Sequence, residues 1–476
     1  MRRLPCSAAF CGIVTLLAAI GTCFTMTVAP VPAGAAGFSA PIPLPSSYSD
    51  SWHFAVNDRG EGGAVVGTMT GASFYPLAPS GGLGDPIALT VPGDFASTSQ
   101  SIAINAQGRV AVALLYKDAT EKPPEVEHGG IGCCGRVALT SWQLGQQPPP
   151  VQVLSPAQPP VRVGEPLQVL AAPSLVVGAA AITVLWTRES LDELGSDEYG
   201  PEGRSQLIQA YGRFSEALHV RRVTSAPRGV QVRQLGLAAN GSPFAAWLED
   251  RNKLLGLDGR SDGALTGPLR ITRVAKMSAA EGFATESGRS QKTLFAYFSD
   301  SRKRHDSVLK TISRRPGHGF GPVRKIAAFS DAVEARLADG FQTFVAVWER
   351  SFGVRERGHL YTRRNGSAGD LGASRSLGLG EGPTGFVDAH GRTVFVYEVP
   401  VARGYSEHEP VAATAERGGR FGAPQPLVPG GDGCTVENEG VFYRPPLSIS
   451  PNGNAAFEVS CETPAGRGTY LIRYRP

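Results

Sequence analysis

Apolar and polar residues alternate at period two in short runs along this chain, and each run is cut off by a small turn rich in Gly, Asn and Asp. That period belongs to strands, and those turn residues belong to hairpins. One phrase recurs: an alternating strand, a turn with glycine, then an apolar strand that often closes on an aromatic and an acid. It reads HFAVNDRGEGGAVVG from His53, SIAINAQGRVAVALLY from Ser101 and GLAANGSPFAAWLED from Gly236. It returns as GFVDAHGRTVFVYE from Gly385 and LSISPNGNAAFEVSC from Leu447. Weaker copies begin at Gly282 and Ala335, and a degenerate one, LVVGAAAITVLWTRE, begins at Leu175. A second phrase follows each of these, built of glycine, a large apolar residue, a small residue or proline, and a short strand. GGLGDPIALT from Gly81 and RFGAPQPLV from Arg420 are examples.

The turn glycines Gly60, Gly108, Gly178, Gly241, Gly288, Gly340, Gly391 and Gly453 follow one another at intervals of 47 to 70 residues. That is the length of a four-stranded antiparallel unit with insertions, and no helical period longer than two turns interrupts it. Such a unit cannot bury both of its faces alone. Radial stacking of such sheets makes an all-β, single-domain β-propeller. Eight copies predict eight blades; the count is seven if the stretch at Leu175 is not a copy. The last copy ends in TYLIRYRP without its second phrase, and GFSAPIPL from Gly37 supplies one. The mature N-terminal strand is therefore expected to be the outer strand of the last blade, closing the ring so that no sheet edge is left unpaired.

Composition changes this picture little. A chain of 476 residues would ordinarily suggest about three domains, but the repeat spacing assigns them to one. The 59 glycines and 37 prolines are the punctuation between strands. Charged residues make up 18%, against roughly 25% in soluble domains, which excludes a highly charged unfolded chain. A net charge of +4 is too small for a general polyanion binder, and no nucleic-acid partner is expected.

The N-terminus reads as an address. Arg2 and Arg3 precede an apolar run that ends in Ala33, Gly34, Ala35 and Ala36, the layout of a secretory signal peptide. Residues 1–36 are expected to leave, which makes 37–476 the propeller domain and secreted or extracellular its location. The alternative is a lipoprotein anchored through Cys23. No later segment approaches the ~18 uninterrupted apolar residues of a spanning helix. Cys133, Cys134, Cys434 and Cys461 remain after cleavage, an even number in an oxidising compartment. The expected bridge is Cys434–Cys461, because Cys133 and Cys134 are 300 residues away from it. That leaves Cys133 and Cys134 as a candidate vicinal pair.

On these repeats the chain resembles secreted bacterial β-propeller repeat proteins, with blades like those of sialidase-type (BNR-like) propellers, over residues 37–476. The resemblance implies the fold and leaves the activity open. A sialidase needs an arginine cluster, an acid/base carboxylate and a tyrosine nucleophile. The S-x-D-x-G-x-x-W boxes and the FRIP-type arginine motif of that family are absent here.

Candidate function sits at the end of each blade where the second strand finishes, called the upper face below. Glu189, Glu249, Asp250, Asp300, Glu349, Glu398 and Glu458 follow the aromatic of their blades and fall there. They are either solvated acids at loop starts or groups converging on a central cleft. The long loop after Trp186 adds Asp192 and Glu193 to an acidic stretch, and long loops on rigid scaffolds carry function. Matching loops further on are basic, with Arg302 and Arg304, then Arg350 and Arg355. This contrast could orient an ionic ligand. No cofactor or metal is expected; calcium in the acidic loop is the lesser alternative, since no D-x-[DN]-x-[DN]-G spacing occurs. Trp186, Trp247, Tyr297, Trp348 and Tyr397 share one repeat position and are expected to pack between blades. Gly259–Gly263 matches G-x-S-x-G, but a strand rather than a helix follows, so it reads as a loop. His53, His219, His318, His390 and His408 are scattered and read as structural or exposed.

The function expected from these features is a secreted, non-enzymatic binding protein of the cell envelope or exterior. Its partner would be an unidentified protein or polysaccharide at the cell surface, and the chain is read as a monomer. The alternative is a carbohydrate-active hydrolase or lyase, sialidase-like, with Glu349 and Glu398 as the first carboxylates to test.

Overall fold

The five-residue turns that join the first two strands of a unit show why this sequence folds as hairpins. In the computed structural model, Asn57 Oδ1 accepts from the N–H groups of Arg59 and Glu61. Asn105 Oδ1 does the same for Gln107 and Arg109, and Asp388 Oδ1 for His390 and Arg392. In each turn the glycine N–H closes back on the carbonyl of that Asn or Asp, from Gly60, Gly108 and Gly391. Those glycines have φ of 73°, 80° and 79°, a left-handed geometry that a side chain resists.

The structure describes residues 37–45, 52–68, 70–92, 97–117, 135–155, 167–191, 205–214, 216–226, 229–238, 240–250, 252–274, 283–287, 293–300, 307–329, 332–340, 343–350, 359–364, 375–388, 390–400, 408–417, 419–428, 434–436, 448–463 and 466–476. Among these there is no helix, and the strands form eight antiparallel sheets. The first runs Trp52–Val56, Gly62–Thr68, Gly71–Leu77, Ile87–Thr90, each strand bonded to the next in chain order. The second starts at Ser97–Ile104, the fourth at Val230–Leu237, the fifth at Phe283–Ser287, the sixth at Ala332–Gly340 and the seventh at Glu381–Val387, all with the same order. The stretch at Leu175 also builds a sheet, the third. There Ser174–Val177 and Leu167–Leu170 both pair with Ala181–Leu191, giving five strands.

The eighth sheet joins the two ends of the described chain. Ala455–Thr463 and Gly466–Tyr474 pair with each other, and Ile42–Pro43 pairs with Gly466–Tyr474 on its outer side. Phe38 bridges to Tyr474, and Leu44 N–H donates to Thr469 O at 2.8 Å. On the inner side Cys434–Val436 pairs with Ala455–Thr463, with Cys434 opposite Cys461. Those two cysteines are joined in a disulfide, as the sequence led us to expect. Cys133 and Cys134 lie outside the described residues.

The second strands whose side chains are described are buried on both sides, which explains their nearly continuous apolar sequence. Val110, Val112 and Leu114 pack with Val65, Phe74 and Leu89 of the first sheet. The alternate residues Ala111 and Ala113 pack with Val184 and Trp186 of the third. The same sharing places Leu185 with Trp247, and Val396 with Phe457. The first sheet meets the eighth through Trp52, Phe54 and Val66 against Ala456 and Leu471. Close packing leaves no room for a methyl at Gly63, whose Cβ would sit 2.1 Å from the Phe74 ring.

Candidate functional site

The aromatics near the ends of the second strands are core, as expected of them. Trp186, Trp247 and Tyr397 are 0–1% exposed and sit in the clusters between neighbouring sheets. Tyr297 and Trp348 fall on second strands too, at positions whose side chains are outside the described set.

Among the acids beside them, Glu249, Asp250, Glu398 and Glu458 have described side chains, and none of the four is exposed. Glu398, near the upper end of Thr393–Pro400, accepts at Oε1 from Val436 N–H of the eighth sheet at 2.8 Å. Glu458 accepts at Oε2 from Trp52 N–H of the first sheet at 3.3 Å. Each carboxylate thus takes a backbone donor from the edge strand of a neighbouring sheet, a group that would otherwise be stranded at a seam. Glu249 is turned sideways: its Oε1 accepts from Trp247 Nε1 at 3.0 Å and Thr224 Oγ1 at 2.9 Å. Asp250 occupies the left-handed region, with φ of 50°, in the tight turn to Lys253, whose Nζ lies 2.7 Å from Asp250 Oδ2. These four side chains are held by hydrogen bonds or an ion pair and do not stand free at loop starts. At the end of an apolar strand, a carboxylate finds unpaired N–H groups closer than water.

Glu398 differs from the others in its second oxygen. Oε2 lies 3.8 Å from His408 Nδ1, and the two side chains retain 11% and 20% of their surface. His408 opens the third strand of the seventh sheet, His408–Ala415, in register with Pro400. Glu398 pairs with Pro410, so the carboxylate and the imidazole are diagonal neighbours on one face of the sheet. A carboxylate fixed by a backbone N–H and facing an imidazole at the edge of solvent can hold and transfer a proton. Sequence reasoning missed this pairing and left His408 among the structural histidines. The seven residues between the strands hide a diagonal contact that only the hairpin register reveals.

The remaining candidates are spread over other sheets. Glu189, Asp300, Glu349 and Arg350 lie on second strands of the third, fifth and sixth sheets, with their side chains outside the described set. Glu349 pairs with Glu334 and Leu360. Asp192, Glu193, Arg302, Arg304 and Arg355 lie outside the described residues. Among the described residues no three His, Cys, Asp or Glu side chains come together as a metal site. Gly259–Gly263 forms the loop expected of it, closed by Gly263 N–H on Arg260 O, and offers no nucleophile elbow.

No protein-family model matches the chain, and no curated protein matches its sequence. Solved structures match it at low identity. A mutant of NanB sialidase from Streptococcus pneumoniae is 9% identical, covers 68% of this chain and 69% of its own, and has a TM-score of 0.35. An α-L-arabinanase from Penicillium chrysogenum is 11% identical over 68% of this chain and 98% of its own, at 0.38. A polysaccharide lyase described as an ulvan lyase is 8% identical over 78% of this chain and 79% of its own, at 0.38. The sialidase-like resemblance of the blades agrees with the four-stranded antiparallel sheets described above and goes no further than fold. The expectation of a non-enzymatic binding protein is corrected by this set, whose members are for the most part enzymes.

Proposed function

We propose that this chain is a carbohydrate-active hydrolase or lyase that works at the upper face of a β-propeller. The observation that carries the reading is Glu398, held at one oxygen by Val436 N–H and facing His408 with the other. Glycan cleavage is the chemistry such a group suits, since it needs a positioned carboxyl to give or take a proton beside the scissile bond. Glu349 is the second carboxylate of this reading. Glu189, Asp192, Glu193, Asp300, Arg302, Arg304, Arg350 and Arg355 are its candidate substrate contacts, and it needs no cofactor.

Residues 37–476 form one ring of eight blades in this reading. Contacts run from each sheet to the next in chain order, and Trp52–Val56 of the first sheet meets Ser448–Ile449 and Ala455–Thr463 of the eighth. Val56 N–H donates to Ser448 Oγ, and Asn452 N–H to Asp58 Oδ1, across that seam. The strand after residue 37 closes the ring from outside. Secretion after loss of residues 1–36 agrees with the Cys434–Cys461 bridge, since disulfides persist in oxidising compartments. No helix of the described residues is long and apolar enough to cross a membrane.

The test is a panel of neutral and acidic polysaccharides incubated with the wild-type chain and with Glu398→Gln and Glu349→Gln. Glutamine keeps an oxygen for Val436 N–H, so Glu398→Gln should fold while losing proton transfer. New reducing ends mark a hydrolase, and new ultraviolet absorbance from an unsaturated product marks a lyase. We expect Glu398→Gln to lower the rate by about 100-fold or more. Full activity in both variants, or no cleavage of any glycan by the wild type, removes the reading.

A further inference from the structure

The seam between the second and third sheets opens into a cleft. Along Ala181–Leu191 the residues Ile182, Val184, Trp186 and Arg188 share one face, and the first three pack on Ala111, Ala113 and Val137 of the second sheet. At Trp186 and Arg188 the packing gives way to a cavity of about 220 Å³, with Ser155, Leu170, Ile208 and Arg222 among its walls. That space admits a small molecule rather than a single water.

The cleft presents donors without acceptors. Trp186 is 1% exposed, yet its Nε1 has no partner among the described residues, and neither does the buried Nε of Arg188. Burial pushes the Arg188 guanidinium below its ordinary pKa. Arg222 stands exposed at the mouth. Arg221 points away, to Gln209 Oε1 at 3.0 Å and Leu265 O at 2.6 Å. Among the described residues that line it, none is acidic. Buried N–H groups left unpaired cost free energy that an anionic oxygen recovers. The apolar wall of Leu170, Ile208 and Val220 suits a ligand that also has an apolar face.

We propose that this cleft is a binding subsite for a carboxylate-bearing sugar, a uronate unit, separate from the Glu398 site. The carboxylate would accept from Arg188 Nε with Arg222 beside it. The ring would lie on the apolar wall, with one oxygen accepting from Trp186 Nε1. The carboxylate follows from the cleft itself; the sugar as its carrier rests on the glycan-cleaving reading.

Calorimetric titration of the full chain with glucuronate, glucose and acetate tests this. Glucuronate should bind, with glucose and acetate weaker by about tenfold or more. Arg188→Gln and Trp186→Phe should each weaken glucuronate by about tenfold or more. If Trp186→Phe does not fold, Arg188→Lys, which keeps the charge and lacks Nε–H, carries the same readout. Absence of glucuronate binding, glucose or acetate binding equally well, or unchanged affinity in the Arg188 variants overturns the proposal. Glucuronate binding to Glu398→Gln protein separates the two sites, because the subsite should bind normally there whether or not any glycan is cleaved.

Discussion

Replacing Arg473 by Met tests how the last sheet is held to the first. Arg473 is 2% exposed; its Nη1 donates to Ala78 O at 2.8 Å and its Nη2 to Gly60 O, both in the first sheet. Methionine fills much of the same space and removes both donors. Ala78 O keeps the Gly81 N–H and lies at the surface, so the loss falls on the buried Gly60 O, which costs about 1–3 kcal/mol when left unpaired. Against this runs relief of a buried charge: burial, with Arg475 nearby, pushes the Arg473 pKa down to about 10. The expected net loss is therefore in the lower range, about 1–2 kcal/mol. At ~2.1 cal/mol/K of unfolding entropy per residue, a chain of roughly 440 residues loses about 1 °C per kcal/mol. Melting should then fall by only about 1–2 °C, and the urea midpoint is the better assay. The control is Arg260→Met, whose pair with Asp262 has side chains 68% and 37% exposed and should matter by less than about 0.5 kcal/mol. If Arg473→Met is as stable as that control, the inferred tie between the two sheets is wrong.

Two further outcomes follow from other parts of the fold. Opening the Cys434–Cys461 bridge, by reduction or by a double serine variant, should cost about 3.5 kcal/mol for a sequence separation of 27, read from urea unfolding with and without reductant. Tyr397→Phe should be neutral or stabilising by up to ~1 kcal/mol near pH 7, because the buried hydroxyl has no partner among the described residues. Burial raises Tyr397 to about 12 and Tyr474 to about 12, so between roughly pH 10 and 12 the unfolded phenols lose protons that the folded ones keep. Wild-type stability should hold below about pH 10 and decline through that window, and the decline should be shallower in Tyr397→Phe.

How much of this was readable in advance depends on the distance over which each feature is decided. The turn at Asn57–Gly60 is written in adjacent residues, and its Asn-x-x-Gly spacing announces both the side-chain acceptor and the left-handed glycine. The strand at Ile42–Pro43 was legible because its phrase matched one missing from the chain's far end. Trp186 was recognised as core, yet Arg188, two residues on and on the same face, was passed over. Alternation states which face a side chain shares and says nothing of whether a cavity lies there. The contact of His408 with Glu398 was out of reach for a similar reason, since only the register of one hairpin brings the two together. The loop acids and arginines had no local pattern to fix them, and their side chains are outside what the structure describes.

The sequence by itself determined the strands, their turns and the four-stranded unit, because each rests on period-two alternation or on turn chemistry within a few residues, and it pointed to the pairing of Cys434 with Cys461 through the number and spacing of the cysteines. Only the tertiary structure decided where the polar groups at the seams went. Glu458 reaches Trp52 N–H across 406 residues, and Arg473 reaches Gly60 O across 413. Those bonds form because stacking two sheets strands particular N–H and C=O groups away from water. Which side chain then lies within about 3 Å of them is a property of packing, with no counterpart in the local sequence.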